Sequence, residues 1–150
     1  MTDAIIEAYG GTLDEAFENS ARGLVDTMYD LTSNRNISYT TPPPPPPATD
    51  REIQIEAKGF DLQSLLYNWL EKVMLVVLVD HILLSDFKVK ITKETLGEYN
   101  YLLNGIAKGE DLNSEKHHYK VEVKAITYHE MEIKEEKEKN RVTTRFLLDL

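Results

Sequence analysis

The chain has 150 residues and no cysteine, so its length suits one folded domain, and a disulfide framework or a thiolate metal site is excluded. Its 26 acidic and 17 basic residues give a net charge of −9, which repels phosphate backbones and argues against direct, stable nucleic-acid binding unless a local basic patch exists. The longest apolar run, Val73 to Val79, is too short to cross a bilayer, and the N-terminus lacks the layout of a secretory signal, so we expect a cytoplasmic protein without membrane contact.

The N-terminal quarter predicts a strand followed by a helix. Asp3 to Tyr9 alternate as a short strand that ends at two glycines. Thr12 and Glu15 have the spacing of a capping box, and a helix is predicted from Thr12 to about Tyr29. One stripe of that helix is expected to face the core: Leu13, Phe17, Ser20, Ala21, Leu24 and Met28.

A proline-rich connection over residues 34–50 follows this helix. Its six consecutive prolines, Pro42 to Pro47, favour an extended polyproline II rod. Such a rod is either a docking ligand for an aromatic groove or a stiff surface connection. We favour the connection, because no neighbouring basic residue fixes a binding orientation.

A second strand and helix come next. Glu52 to Ala57 alternate as a strand, and Asp61 is placed to cap a helix whose stripe includes Trp69, which we expect in the core. The sequence does not fix where this helix ends within Met74 to Val79, since short apolar runs do not distinguish a helix from a strand.

The second half of the chain predicts two strand pairs. Phe87–Thr92 pairs with Tyr99–Lys108 across Gly97, and Tyr119–Ile133 pairs with Val142–Leu150. No internal repeat is evident. The expected fold is α+β, a two-layer sandwich with a mixed or mainly antiparallel sheet of about six strands and two helices on one face, in a single domain over residues 1–150.

One of these predicted strands has an irregular pattern. Odd positions from Val121 to Ile133 place apolar side chains on one face, yet Thr127 and His129 share that face while Ile126 lies opposite. A β-bulge near Ala125 that reverses the facing is one explanation.

Candidate chemistry is limited to carboxylates and histidines. Asp149 precedes the terminal carboxylate of Leu150, and a hard divalent cation would relieve their repulsion, although many chains end this way in solvent. Asp3 begins an apolar strand, where a frayed terminus is the default. No phosphate-binding glycine loop, zinc-binding histidine pair or nucleophile with its base can be identified.

The histidines allow two interpretations each. His117 and His118 lie in a polar loop, where exposure to solvent is the default expectation. His129 is either a satisfied, half-buried imidazole or a donor into a carboxylate cluster.

Five segments, in this order along nearly the whole chain, resemble the archease family: TDAIIEAYGGTLDEAFENSA, KGFDLQSLLYNWL, GEDLNSEKHH, VEVKAITYHEMEI and FLLDL. The resemblance implies a protein cofactor of the tRNA-splicing RNA ligase RtcB, which joins 3′-phosphate or cyclic-phosphate ends to 5′-hydroxyl ends. Archeases promote guanylylation of that ligase, restore its multiple turnover and broaden its nucleotide use, without being ligases themselves. The family is also linked to chaperone-like assistance of a tRNA methyltransferase.

The resemblance also implies a cation site. The last aspartate of an N-terminal family motif corresponds to Asp3 and the penultimate family aspartate to Asp149, while the Leu150 carboxylate could complete the site. Oxygen ligands favour calcium or magnesium as the cation. Two pairs correspond to family positions near the site, as partner contacts or as groups that orient the ligands: Lys116 with His117, and Thr127 with His129. The family strand upstream of Asp3 is missing from this sequence, and a start assigned too far downstream or a truncation is the expected cause.

Two other functions compete with ligase activation. A metal-dependent hydrolase would use a carboxylate-held cation to activate water on a phosphate ester or nucleotide. A general chaperone of tRNA-modifying enzymes would suppress client aggregation independently of both aspartates.

Overall fold

The computed structural model describes residues 3–29, 48–94, 97 and 99–150. The proline run Pro42 to Pro47 lies outside these residues, so its two interpretations stay open. The described chain forms two helices, six strands and one 3₁₀ turn over Lys137–Lys139: β1 (Asp3–Gly10), α1 (Leu13–Met28), β2 (Arg51–Gly59), α2 (Leu62–Val79), β3 (Ile82–Lys93), β4 (Tyr101–Asp111), β5 (Ala125–Glu136) and β6 (Arg141–Asp149).

The α+β fold class is confirmed, with the strands divided into two sheets. One sheet has the order β1-β6-β5 and the other β2-β4-β3, and every pairing is antiparallel. Helix α1 packs on β1 and β3, and helix α2 packs on β2 and β5. Each helix therefore connects an edge of one sheet to an edge of the other.

The chain contains a nested repeat, so the expectation of no internal repeat is wrong. β2-α2-β3-β4 forms a unit whose sheet order places its last strand in the middle. β1-α1-β5-β6 has the same order of elements and the same sheet order, with the first unit inserted between α1 and β5. The two units pack with exchanged helices, because each helix also covers the edge strand of the other unit's sheet.

Corresponding residues make the same contacts at the two strand-to-helix turns of the repeat. Gly10 and Gly59 end the first strand of each unit, and a Cβ on either would lie 2.4 or 2.5 Å from a backbone nitrogen of the following helix. The Asn19 side chain donates to the carbonyl oxygen before Gly10 at 2.6 Å, and the Asn68 side chain does the same before Gly59 at 2.7 Å. The sequence carries the same signal at these turns, since IEAYG (residues 6–10) and IEAKG (residues 55–59) differ at one position.

Both helices are capped by the predicted residues, Thr12 through one half of the predicted capping box and Asp61 through both halves of one. The Thr12 hydroxyl accepts from the Glu15 amide at 3.1 Å, and Asp61 forms a reciprocal capping box with Ser64. Helix α2 continues through the whole apolar run to Val79, because one face of that run packs on the core at Val73, Met74 and Val77. α2 has the length and hydropathy of a membrane span, but core helices pass the same test, and its Trp69 face is fully buried here.

The bulge interpretation of β5 is confirmed, at a different position. The pairing of β5 with β6 shifts between Thr127 and Glu132, and three extra residues reverse the facing, so that Ile126 and Ile133 both point to the core. Residues 120–124 precede the strand, so the predicted single apolar face from Val121 to Ile133 is wrong. The Tyr128 ring stacks on Tyr67 at a centroid distance of 4.5 Å, which anchors the bulge against α2.

Candidate functional site

The two predicted carboxylates lie directly opposite each other in the sheet. Asp3 begins β1, Asp149 ends β6, and the strand register pairs their Cα atoms. Their side chains share the solvent face of the sheet, and in such pairs the Cβ atoms are about 4.5–5.5 Å apart. Like charges placed this way repel each other, so the pair favours a cation between the two carboxylates.

The second repeat unit shows what an ordinary pair looks like at this position. Aligning Gly10 with Gly59 places Glu52 where Asp3 stands and Lys108 where Asp149 stands, and Glu52 pairs with Lys108 in the strand register. The Lys108 Nζ lies 3.9 Å from a Glu52 carboxylate oxygen. The β2-α2-β3-β4 unit thus pairs its acid with a lysine, whereas the other unit places two acids opposite each other. This difference fits a site that takes an external cation.

The surroundings of the pair are polar and open on one side. Asp149 is half-buried and Asp3 is exposed, and the Asp149 carbonyl accepts from the Lys124 amide at 2.8 Å. Leu150 is half-buried and packs against the core. Within the described residues, no group of three or more His, Cys, Asp or Glu side chains is placed to hold a metal. A cation here would therefore need oxygen donors beyond Asp3 and Asp149, such as water or the Leu150 carboxylate.

Thr127 and His129 lie on the adjacent strand. Thr127 pairs with Leu147, one row from Asp149 on the same face of the sheet, and its hydroxyl accepts from the His129 amide at 3.2 Å. His129 itself lies in the bulge and is exposed. The structure brings Thr127 next to the aspartate row, and a role for either residue in orienting ligands stays a prediction.

A second polar cluster forms around Glu110, which sequence reasoning did not single out. Glu110 is buried near the end of β4, and its carboxylate accepts from Lys116 Nζ at 2.9 Å and contacts His117 Nε2 at 2.6 Å. The backbone of Ala48 donates to it as well. The sequence feature that could have predicted this cluster is the position of Glu110, six residues before Lys116. His117 is buried rather than exposed, whereas His118 is exposed as expected.

The protonation state of this cluster follows from its donors. The Asn113 amide donates to His117 Nδ1 at 2.9 Å, so this nitrogen carries no proton and Nε2–H donates to Glu110. Burial raises the pKa of Glu110, but the hydrogen bonds from His117, Lys116 and Ala48 outweigh it, and the net pKa lies below the usual value. The cluster is therefore a neutral imidazole and a carboxylate anion bridged to a lysine.

Both clusters lie at the same end of the molecule. Residues 112–124 cross this end: Lys120 donates to the Met28 carbonyl at the end of α1, and Lys124 donates to Asp149. Helix α1 lies alongside β3, and the Arg22 side chain donates to the Ser85 carbonyl. The last turn of α1 therefore lies near the start of β3, and the start of β3 pairs with the end of β4, where Glu110 stands. The fold therefore collects Asp3, Asp149 and the Glu110 cluster from distant parts of the sequence at one pole.

We expect Glu110→Gln to lower the free energy of unfolding by about 1–3 kcal/mol at neutral pH, because a buried amide replaces a carboxylate that holds three donors. The folded pKa of Glu110 is depressed, so its contribution is present above the unfolded value of about 4.5 and is lost as pH falls through the folded pKa. Urea unfolding between neutral pH and about pH 3 checks this. The difference in free energy of unfolding between wild type and variant should narrow at pH values below the unfolded-state pKa of Glu110. An equal gap at all pH values would contradict the assignment.

The chain is similar to one protein family over its whole length. A family model described as "Archease protein family (MTH1598/TM1083)" matches residues 1–150. A protein archease from Pyrococcus furiosus is 41% identical over 131 residues, which cover 87% of this chain and 81% of the relative. One from Thermococcus kodakarensis is 39% identical over 148 residues, 99% of this chain and 92% of the relative.

A solved structure agrees with the described fold. The solution structure of Methanobacterium thermoautotrophicum protein 1598 is similar, with a TM-score of 0.72 at 34% sequence identity, covering 100% of this chain and 94% of that chain. At this identity, the likeness extends to the sequence as well as to the arrangement of helices and strands.

Proposed function

The chain belongs to the archease family, and from this premise we propose that it is a protein cofactor that activates a tRNA-splicing RNA ligase of the RtcB type. It would promote guanylylation of the ligase, its multiple turnover and its wider use of nucleoside triphosphates, in tRNA splicing and RNA repair in the cytoplasm. The observation that carries this proposal is the cross-strand pair of Asp3 and Asp149, an acidic site on the rim of the fold rather than in an enclosed active centre.

We propose an activator rather than a catalyst. Among the described residues, one imidazole–carboxylate hydrogen bond is found, between His117 and Glu110. Both ring nitrogens of that histidine are already occupied, Nδ1 by the Asn113 amide and Nε2 by Glu110, so neither is free to take a proton from a substrate. This arrangement suits a rigid loop better than a general base.

The cation ligands we propose are Asp3 and Asp149, with the Leu150 carboxylate as a third donor, and calcium or magnesium as the ion. When bound, a divalent ion would offset most of the charge of these carboxylates and remove the repulsion between Asp3 and Asp149. Asp3 and Asp149 would fix its position from two strands, and Thr127, which is diagonal to Asp149 in the strand register, would orient a carboxylate through a bound water.

The partner surface we propose is the pole that carries both polar clusters. Lys116 is exposed beside its buried partners, so it can contact a partner while Glu110 and His117 hold the loop beneath it. The net charge of −9 favours a basic surface on the ligase and raises the rate of encounter. A tRNA methyltransferase is a further candidate partner through the same surface.

The experiment that tests this function is guanylylation of the ligase with GTP, with and without this protein, in calcium or magnesium. We expect the ligase–guanylate adduct to form faster and ligation to continue beyond one turnover. Hydrolysis of a nucleotide in the absence of the ligase would favour the metal-dependent hydrolase instead. Protection of an aggregating client without any effect on guanylylation would favour a general chaperone.

A further inference from the structure

The outer face of the β2-β4-β3 sheet carries an open groove, away from the end of the molecule that holds Asp3, Asp149 and the Glu110 cluster. The groove encloses about 580 Å³, which is within the range of small-ligand sites. Its floor is the middle strand at Asn104 and Ile106, one wall is Gln54 and Glu56 of β2, and the other is Lys88 and Lys90 of β3.

The inner face of β4 explains why the groove forms on this sheet. Three of its inward positions are Gly105, Ala107 and Gly109, so the middle strand lies close to the core. A Cβ on Gly105 would lie 2.9 Å from a Trp69 ring atom. The longer side chains of β2 and β3 then stand above a recessed floor. The equivalent strand of the other unit, β6, has Phe146 and Leu148 on its inner face.

The two walls differ in charge. Lys88 and Lys90 are exposed, lie on one face about 7 Å apart, and have no carboxylate partner among the described residues, unlike Lys108 and Lys116. Glu56 faces them across two strand spacings, roughly 9.6 Å. Asn104, between Glu56 and Lys90 in the register, supplies both a donor and an acceptor.

From this arrangement we propose that the groove is a binding site for a free nucleoside monophosphate. The phosphate would bind the two lysines, and the Glu56 carboxylate would accept from the ribose hydroxyls or from a guanine edge. Ile106, which is 40% exposed, offers an apolar contact for the sugar or the base.

The ends of the groove favour a single nucleotide over a strand of RNA. Glu52 and Asp86 flank Lys108 in the row at one end, and Glu94 follows β3 near the other. Lys108 pairs with Glu52 and Arg22 pairs with Asp86, so this row is neutral overall and supplies no unpaired cation along which a phosphodiester backbone could continue. The site goes beyond the proposed activator role and does not depend on it.

The test is an NMR titration of the whole chain with GMP, AMP and deoxy-GMP. We expect saturable shifts at Asn104 and Ile106 with a Kd at or below about 1 mM, and at least about ten-fold weaker binding in the Lys88→Gln/Lys90→Gln variant. A matched control, Lys134→Gln/Lys137→Gln, removes two exposed lysines elsewhere and should leave the Kd unchanged within about two-fold.

A second variant locates the other end of the ligand. Glu56→Gln should weaken GMP binding several-fold and leave inorganic phosphate unaffected. If the wild-type protein binds deoxy-GMP more weakly than GMP, the ribose 2′-hydroxyl is the group that contacts Glu56. If it binds AMP more weakly than GMP, the guanine edge is that group. The proposal is overturned if no nucleotide binds, if both double variants weaken binding equally, or if a single-stranded RNA oligonucleotide binds far more tightly than GMP.

Discussion

Asp149→Asn is expected to abolish both cation binding and stimulation of ligase guanylylation while leaving the fold intact. In the free protein the change removes one of two facing carboxylates, so the variant should be at least as stable as wild type without divalent ions. Adding calcium or magnesium should raise the melting temperature of wild type, because the ion binds only the folded pair, and should leave that of the variant unchanged. Thermal unfolding and the guanylylation assay measure the two effects on the same samples.

The second repeat unit provides the matched control. Glu52→Gln alters the corresponding acid of the other sheet, which already faces Lys108. We expect the melting temperature of this variant to rise with the cation as in wild type, and stimulation of the ligase to persist, since only a surface ion pair is lost. Cation-dependent stabilisation that survives in both Asp149→Asn and Asp3→Asn would show that the ion binds elsewhere. Full stimulation by both variants would separate ligase activation from the carboxylate pair.

Trp69→Ala is expected to have the largest effect on stability, lowering the free energy of unfolding by about 3–5 kcal/mol. The indole is fully buried, its Nε1–H donates to the Phe17 carbonyl of α1 at 3.0 Å, and its ring packs edge-on to Phe87 at 6.2 Å between centroids. It also fills the space that Gly105 leaves on the inner face of β4. The substitution leaves a cavity where both helices meet the middle of one sheet, and domains of this size are stable by only about 5–15 kcal/mol.

Urea unfolding followed by circular dichroism measures this loss without needing the tryptophan signal. Trp69→Phe is the control, because it keeps most of the ring and removes the hydrogen bond, so its effect should be clearly smaller. Gly105→Ala tests the same contact from the strand, and we expect a loss of about 1–3 kcal/mol from overpacking against the ring. A loss below about 1 kcal/mol for Trp69→Ala would mean that the helices and sheet readjust to fill the cavity.

Local patterns in the sequence predicted most elements of the fold. The threonine and aspartate caps, the helical stripes and the alternating strands depend on neighbours within a few residues, and α1, β1, β2 and β6 formed close to the expected bounds. β3 begins five residues before its predicted start and β5 begins six residues after it. The single apolar face predicted for residues 121–133 was wrong, and the bulge that reverses the facing lies between Thr127 and Glu132 instead of near Ala125. At this point Tyr128 stacks on Tyr67 of α2. Periodicity along one strand carries no information about such a contact.

Residue types and their spacing were enough to predict the α+β fold class, the family, and Asp3 and Asp149 as candidate ligands. Which of these residues meet is set only by the folded structure. It places Asp3 against Asp149 and Glu110 against His117, and it reveals a repeat in which Glu52–Lys108 occupies the position of the aspartate pair. The physical reason is that strand register and helix exchange bring together residues up to 146 positions apart, through contacts that no local pattern specifies.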